Sequence, residues 1–441
     1  MNKNTSEIVT EILATVKKKG ATEAEVVYSK GKGLSISLRN GDVDTIENSE
    51  DSSLILTVYN GKAKGSASSA LLDEASIALT IEKAWEIAKL TQEDEFAGLA
   101  DEELLANPAD FKDLDIYHPT DVTPDAMIEN GLKAEKAALE TKGIIVDETN
   151  ISIGEGFSVY ASSHGFLGTK QGTNCSMSVV AIAEKDGAME RDYWWDAVRD
   201  YNNMMPATEL GKKAAARTIA RVGARKVKSC KVPVLFDATV AQGLVGHMLS
   251  ALAGSSLYQD ASFLKDDLNT QIFPEWFEIH ENPFIKGGFA SRNFDSNGVA
   301  TKARNIIDSG VLTGFLLSIY SARRLGLVTT GNAGGAHNLF IKTHNNSEKS
   351  FDDALKQLNT GLYVTSVMGQ GVNTINGDYS RGASGFWIEN GEIQFPVSEI
   401  TIASNLKDMY KNLVLIANDT DQRTKIQTGS WLIEEMTIAG V

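Results

Sequence analysis

The chain has six histidines, His118, His164, His247, His280, His337 and His344, and these are the first residues to weigh as chemistry. A zinc centre on a helix needs two imidazoles about one turn apart on the same face, and none of the six pairs with another at such spacing. Five of them read as ordinary core or surface residues. His247 lies in a helical stretch, where it and Gln242 are the polar pair interrupting an apolar face. The two cysteines, Cys175 and Cys230, are far apart and form neither a CxxC pair nor a disulfide framework, so both read as reduced thiols. Two glycine-rich runs, TTGNAGGAHN (329–338) and GQGVN (369–373), have the composition of a phosphate cradle. The first is followed by the β-prone Leu339, Phe340 and Ile341 where a cradle needs a helix N-terminus. No GxSxG elbow occurs, and no nucleophile stands out with a base beside it.

The element that positions His247 is DATVAQGLVGHMLSALAG, 237–254, which follows a short apolar strand from Val232 to Phe236. Asp237 is a suitable N-cap and Gly254 a stop, while Val240, Leu244, Met248 and Leu252 recur at helical spacing, so a buried helix is expected. Gly243 and Gly246 sit in its interior, where glycine costs about 1 kcal/mol relative to alanine. That points to close backbone approach or to an inherited site.

Elsewhere the pattern is α+β. Asn4 and Glu7 open a helix that runs to Lys19. Between Ala24 and Ala70 short β-prone runs, broken at Asn40-Gly41 and Asn60-Gly61, predict an antiparallel meander. Helices are predicted at 73–90, at 123–143 behind Thr123 and Pro124, and at 207–222. Strands are predicted between the last two, with a turn at Asp186-Gly187. On the 207–222 helix, Lys213, Arg217, Arg221 and the nearby Arg225 fall on one face, a repulsive arrangement read as facing solvent. The helix-to-strand change at 226–231 divides the chain into an N-terminal domain, 1–225, in which a meander packs with helices, and a C-terminal domain, 226–441. The latter is mostly β, with one clear helix at 350–359. No fixed-period repeat is visible.

Composition removes several classes of function. The 441 residues carry a net charge of −16, which argues against nonspecific nucleic-acid binding. There is neither a signal-like apolar N-terminus nor a run of 18 apolar residues, so a cytoplasmic protein without a membrane span is expected. Nine acidic residues between 92 and 115, against the single Lys112, read as a solvated loop.

The 237–254 stretch resembles the metal helix of the TldD/PmbA family (peptidase U62-like), whose catalytic member carries HExxxH. In this chain Gln242 stands at the first histidine, Gly243 at the glutamate and His247 at the second histidine. The family's G-x-G-x-N, GD(F/Y)S and W-I-E-N-G-E elements are matched by Gly369, Gly371 and Asn373, by 377–380 and by 387–392. YSARRLGLVTTGNAGG (320–335) and EEMTIAG (434–440) extend the likeness through the C-terminal half. In the catalytic sister the third ligand is a late cysteine, and here no cysteine follows Cys230.

The resemblance therefore implies the non-catalytic PmbA (TldE) type of subunit in a metallopeptidase. It implies no metal site of its own and zinc in a TldD-like sister subunit. It also implies unfolded peptides as substrates, and the family has been linked to peptide-antibiotic maturation and to effects on DNA gyrase. Gly369, Gly371, Asn373, Ser380, Arg381 and Gly382 are the expected peptide-binding residues, the glycines permitting an extended peptide to approach unpaired backbone. A stand-alone peptide-binding homo-oligomer is the alternative, and a homodimer stays open. An autonomous hydrolase ranks behind both.

Overall fold

The computed structural model describes residues 5–185, 187–343 and 349–441. Asn4, Asp186 and His344 lie outside them. In the N-terminal half, α1 (Thr5–Lys18), β1 (Glu23–Arg39), β2 (Asp42–Asn60), β3 (Ala63–Ser69) and α2 (Glu74–Leu90) are followed by α3 (Pro124–Leu139), β4 (Ile144–Ser162), β5 (Leu167–Lys185), β6 (Ala188–Val198) and α4 (Ala207–Ala220). The same αβββα order occurs twice. The six strands form one antiparallel sheet, β3-β2-β1-β4-β5-β6, in which the two copies meet at β1 and β4. Strand lengths differ between the copies, which is why no fixed period marks the duplication in the sequence.

The cap read from sequence at Thr123 is in place, accepting from the Ala126 N–H, and Asp73 caps α2 by accepting from the Ser76 N–H. At the first hairpin, Asn40 (φ 55°) and Gly41 (φ 81°) are both left-handed, as a tight hairpin turn requires. The runs EVVYS and LSISL are one strand and not two. Gly31 and Gly33 between them keep their places in the ladder, opposite Asp51 and Ser49 on one side and Gly156 and Gly154 on the other.

Two expectations about charge are corrected. The basic face of α4 does not look into solvent: Arg217 and Arg221 reach Asp192 on β6 at 3.4 and 3.6 Å, and Arg221 also reaches Glu190 at 3.5 Å. Lys213 lies over Trp194, and Arg225 over Phe395. The acidic stretch 92–115 is a strap and not a free loop. Its carboxylates are mostly exposed, but Ala97, Leu99, Ala100 and Ala106 are buried. Its backbone bonds to Gly298 and Ala300, and Asp94 accepts from the Tyr320 hydroxyl at 2.8 Å.

The C-terminal half holds β7 (Cys230–Phe236), α5 (Ala238–Ala251), α6 (Gly254–Tyr258), β8 (Phe277–Asn282), β9 (Arg304–Asp308), β10 (Val311–Leu312), α7 (Ile319–Leu325) and β11 (Asn338–Thr343). It continues with α8 (Phe351–Leu358), β12 (Gly361–Met368), β13 (Asp378–Glu389), β14 (Glu392–Asn405), α9 (Leu406–Lys411), β15 (Leu413–Ile416), β16 (Ile426–Gln427) and β17 (Trp431–Ala439). The short helices α6, α7 and α9 are additional to the two predicted there, at 237–254 and 350–359; each is too brief to show a period in the sequence. One sheet runs β14-β13-β12-β7-β17-β15, and β14 also pairs with β17, so β14, β13, β12, β7 and β17 close on themselves. The second sheet is β10-β9-β8-β11-β16. Between the sheets lies a core that includes Phe236, Phe277, Tyr410 and Trp431, in which Phe273 stacks on Phe277 at 3.9 Å.

Candidate functional site

Helix α5 begins where β7 and β12 part. The two strands run parallel as far as Phe236 and Val364, and the Asp237 N–H then donates to the Val364 carbonyl. Asp237 caps the helix by accepting from the Thr239 N–H at 3.0 Å, and the Tyr363 hydroxyl donates to its other oxygen at 2.5 Å. Ala241, Leu244, Val245 and Met248 lie in the core, which fixes the orientation of the helix. Thr239, Gln242, Gly243, Gly246, His247 and Ser250 form its other face, partly or fully exposed.

The interior glycines of α5 have no close neighbour. A Cβ at Gly243 or at Gly246 would meet nothing within 4 Å. Close approach within this chain is thus ruled out as the reason for them. Gln242 accepts a hydrogen bond from the Thr424 hydroxyl at 3.1 Å, while its amide nitrogen is buried without a partner. The His247 ring packs edge-on against Tyr379, centroids 6.1 Å apart. Burial first, and the nearby Arg381 cation second, hold its pKa below the ordinary value.

The six residues expected to bind peptide are brought together around one loop, 369–377, and the start of β13. Gly369 is exposed and left-handed at φ 86°, with open space where a Cβ would be. Gly371 is different, since a Cβ there would lie 1.9 Å from the Ser380 carbonyl oxygen. Its bare backbone serves the chain's own turn, closed by the Ser380 N–H donating to the Gly371 carbonyl. The Asn373 side chain accepts from the Ile375 N–H, and Arg381 donates to the Met368 carbonyl. A Cβ on Gly382 would meet the flexible Met368 side chain at 2.7 Å, and the Ser380 side chain is exposed.

Beyond Val364 the β7 side of β12 changes character. Thr365 to Met368 stay beside β13 on one edge, with no strand among the described residues on the other. That edge runs beside α5, which is tied to Val364 at its start and touches Tyr379 through His247. Such an edge can add an extended chain by backbone hydrogen bonds. Tyr379, part of the 377–380 motif, and Thr424 complete these surroundings, and only Thr424 was not singled out from sequence. Thr424 stands far from α5 in the chain, with no local pattern to mark it.

Next to the open face of α5 is a cavity of about 490 Å³, whose lining includes Gly246, Ser250, Tyr258, Tyr320, Asn332 and Lys425. Asn332 belongs to a buried network around Glu281, which accepts from the His337 ring nitrogen at 2.9 Å, the Asn332 amide at 2.8 Å and Arg304 at 2.9 Å. Burial alone would push this carboxyl up, but His337 and Arg304 outweigh it and hold its pKa down at about 2. The glycine run 329–338 lines the same cavity and leads into β11, as its sequence implied. The two cysteines are unpaired, on β5 and β7, and burial pushes the Cys175 thiol up to about 11.

The donor set on α5 does not fit a catalytic zinc ion. Among the described residues no three His, Cys, Asp or Glu side chains converge as metal ligands. The ionised group shifting His247 is itself a cation, Arg381, which disfavours a divalent ion at that position.

The chain matches models of the PmbA/TldA metallopeptidase domain 1 over 24–88, central domain over 117–222 and C-terminal domain over 229–440. It is 48% identical over 419 residues to the Metalloprotease PmbA of Escherichia coli O157:H7, covering 95% of this chain and 92% of that protein. A Bacteroides thetaiotaomicron crystal structure, described as a proposed modulator of DNA gyrase, superposes with a TM-score of 0.94 at 28% identity, over all of both chains. The crystal structure of TldE from Thermococcus kodakarensis has the same fold, with a TM-score of 0.86 at 21% identity, covering 98% of this chain and all of that one.

Proposed function

The chain belongs to the PmbA/TldD family of metallopeptidases, and from that premise we propose that it is a subunit without a metal centre of its own, supporting a zinc-bearing TldD-type sister in the cleavage of unfolded peptides. One observation carries this reading: the α5 face holds Gln242, Gly243 and His247 beside Arg381, where a zinc peptidase needs about three ligands, a base and an open position for water. Peptide handling is supported by the free edge of β12 next to that face. Backbone pairing on such an edge binds extended chains with little regard to sequence, which suits unfolded substrates.

The test uses the purified chain alone and the chain co-purified with a sister subunit carrying an intact HExxxH. Alone, it should hold less than one zinc per chain by elemental analysis and leave an unfolded peptide uncut. With the sister, cleavage should appear. The double variant Gln242→His, Gly243→Glu should still be inactive alone, because a third ligand and the groups that orient a metal's ligands are missing. One tightly held zinc per parent chain, with cleavage by that chain alone, would overturn the reading.

A further inference from the structure

Although the chain as a whole is acidic, unpaired positive charge collects where its two halves meet. Lys170 on β5 and Arg292, in the loop after β8, line one cavity of about 310 Å³. Its other walls include residues 112–117 and Phe294. The Lys170 ammonium sits 4.0 Å from the centroid of the Phe294 ring, and that residue is almost wholly buried. Among the described residues no carboxylate comes within ion-pair distance of Lys170 or Arg292, and neither side chain donates a hydrogen bond.

The nearby carboxylates are committed elsewhere. Asp295 accepts from the N–H groups of Asn297, Val299 and Ala333, at 2.8, 3.0 and 2.9 Å. Glu281 is occupied by Arg304, Asn332 and His337. Asp113 and Asp115, which also line the cavity, are exposed to solvent, and Asp113 faces Lys286 at 3.9 Å while Asp115 faces His118 at 3.4 Å. Burial, and then repulsion from Arg292, lowers the pKa of Lys170 to about 8 against the attraction of Asp295, and the same two causes lower that of Lys425 against the attraction of Glu281. Asp295 attracts both cations, and Glu281 attracts Arg292, but neither carboxylate is in ion-pair contact with them, so two cations in restricted water still gain from an anion that joins them directly.

We propose that this cavity binds an organic carboxylate, the free C-terminal end of a peptide, with Lys170 and Arg292 as its two cationic contacts. The cavity is far larger than a bare inorganic anion, and Leu114, Ile116 and Phe294 give it apolar walls for the body of a terminal residue. An arginine and a lysine lining one cavity suit a carboxylate, which accepts several charge-assisted hydrogen bonds. The choice of a peptide rests on the function proposed above; the demand for an anion does not.

The experiment titrates the purified full-length chain with an N-acetylated dipeptide having a free carboxylate, with its C-terminal amide, and with inorganic phosphate. The free acid should bind saturably by calorimetry and raise the thermal midpoint. The amide should bind at least about tenfold more weakly, the loss expected for a hydrogen-bonded charge. Phosphate should bind no better than the amide. Lys170→Met keeps the apolar stem over Phe294, and with Arg292→Gln it tests each contact separately; each should weaken the free acid about tenfold while the unliganded variant melts close to the parent. Equal binding of acid and amide, preference for phosphate, absence of binding, or variants that bind like the parent would each overturn the proposal. If acid binding fails while cleavage with a sister subunit succeeds, this site alone falls. If acid binding succeeds without cleavage, the proposed function falls and the site stands.

Discussion

A Cβ added to Gly371 would lie 1.9 Å from the Ser380 carbonyl oxygen, whereas one added to Gly243 would meet nothing within 4 Å. Gly371 therefore has an internal reason to be glycine. Gly371→Val should lower stability by about 1–3 kcal/mol, as overpacking against rigid backbone does. Gly243→Ala should raise it by up to about 1 kcal/mol through helix propensity. Urea midpoints at unchanged slope would measure both. A stabilised Gly371→Val would show that the turn shifts easily, and a destabilised Gly243→Ala would show an unseen neighbour. Peptide capture on the same samples separates packing from binding. If a bulkier Gly243→Leu leaves capture with the sister subunit unchanged, the open α5 face is outside the peptide path.

Helix α4 and strand β6 show how one element decides the meaning of another. The i, i+4 arginines of α4 repel one another when the helix is considered alone. In the fold Asp192, only 6% exposed, lies between Arg217 and Arg221, so the basic face is the buried half of an ion-pair cluster. Removing one member of such a cluster leaves charge without a partner. Asp192→Ala should cost about 3–5 kcal/mol. Adding Arg221→Met should recover part of that loss, since the stranded cation goes with it. A double-mutant cycle by chemical unfolding would check both steps. A cost of under about 0.5 kcal/mol, typical of exposed pairs, would show that solvent screens the cluster after all.

Across the whole molecule, the two halves are held by the 92–115 strap and by a ring cluster. Phe294, 1% exposed, stacks on Phe111 at 5.5 Å and meets Phe166 edge-on at 5.0 Å, with Lys170 above it. Arg199 adds a clasp by donating to the carbonyls of Thr173, Gly288 and Phe289. Contacts of this kind should couple the halves into one thermal transition. Phe294→Ala should cost about 3–5 kcal/mol and split the calorimetric peak in two, because the cavity it leaves lies at the seam. A single peak, shifted only slightly, would show that the strap alone carries the coupling.

The sequence by itself determined what depends on near neighbours in the chain. The caps at Thr123 and Asp237, the Asn40-Gly41 turn, the buried stripe of α5 and the departure at Gln242 and Gly243 from a zinc helix were all legible, because each is set within a few residues. The expected peptide-binding residues also lie together, on the loop 369–377 and the start of β13, since most of them are near one another in sequence. Only the tertiary structure decided the rest. The doubled αβββα unit, the closure of β14 onto β17, the partners of Arg217 and Arg221, and the pairing of Lys170 with Arg292 in one cavity join residues far apart in the chain. The same is true of the opposite surroundings of Gly243 and Gly371. Such contacts are fixed by which surfaces bury one another, and no local spacing encodes the partner's position.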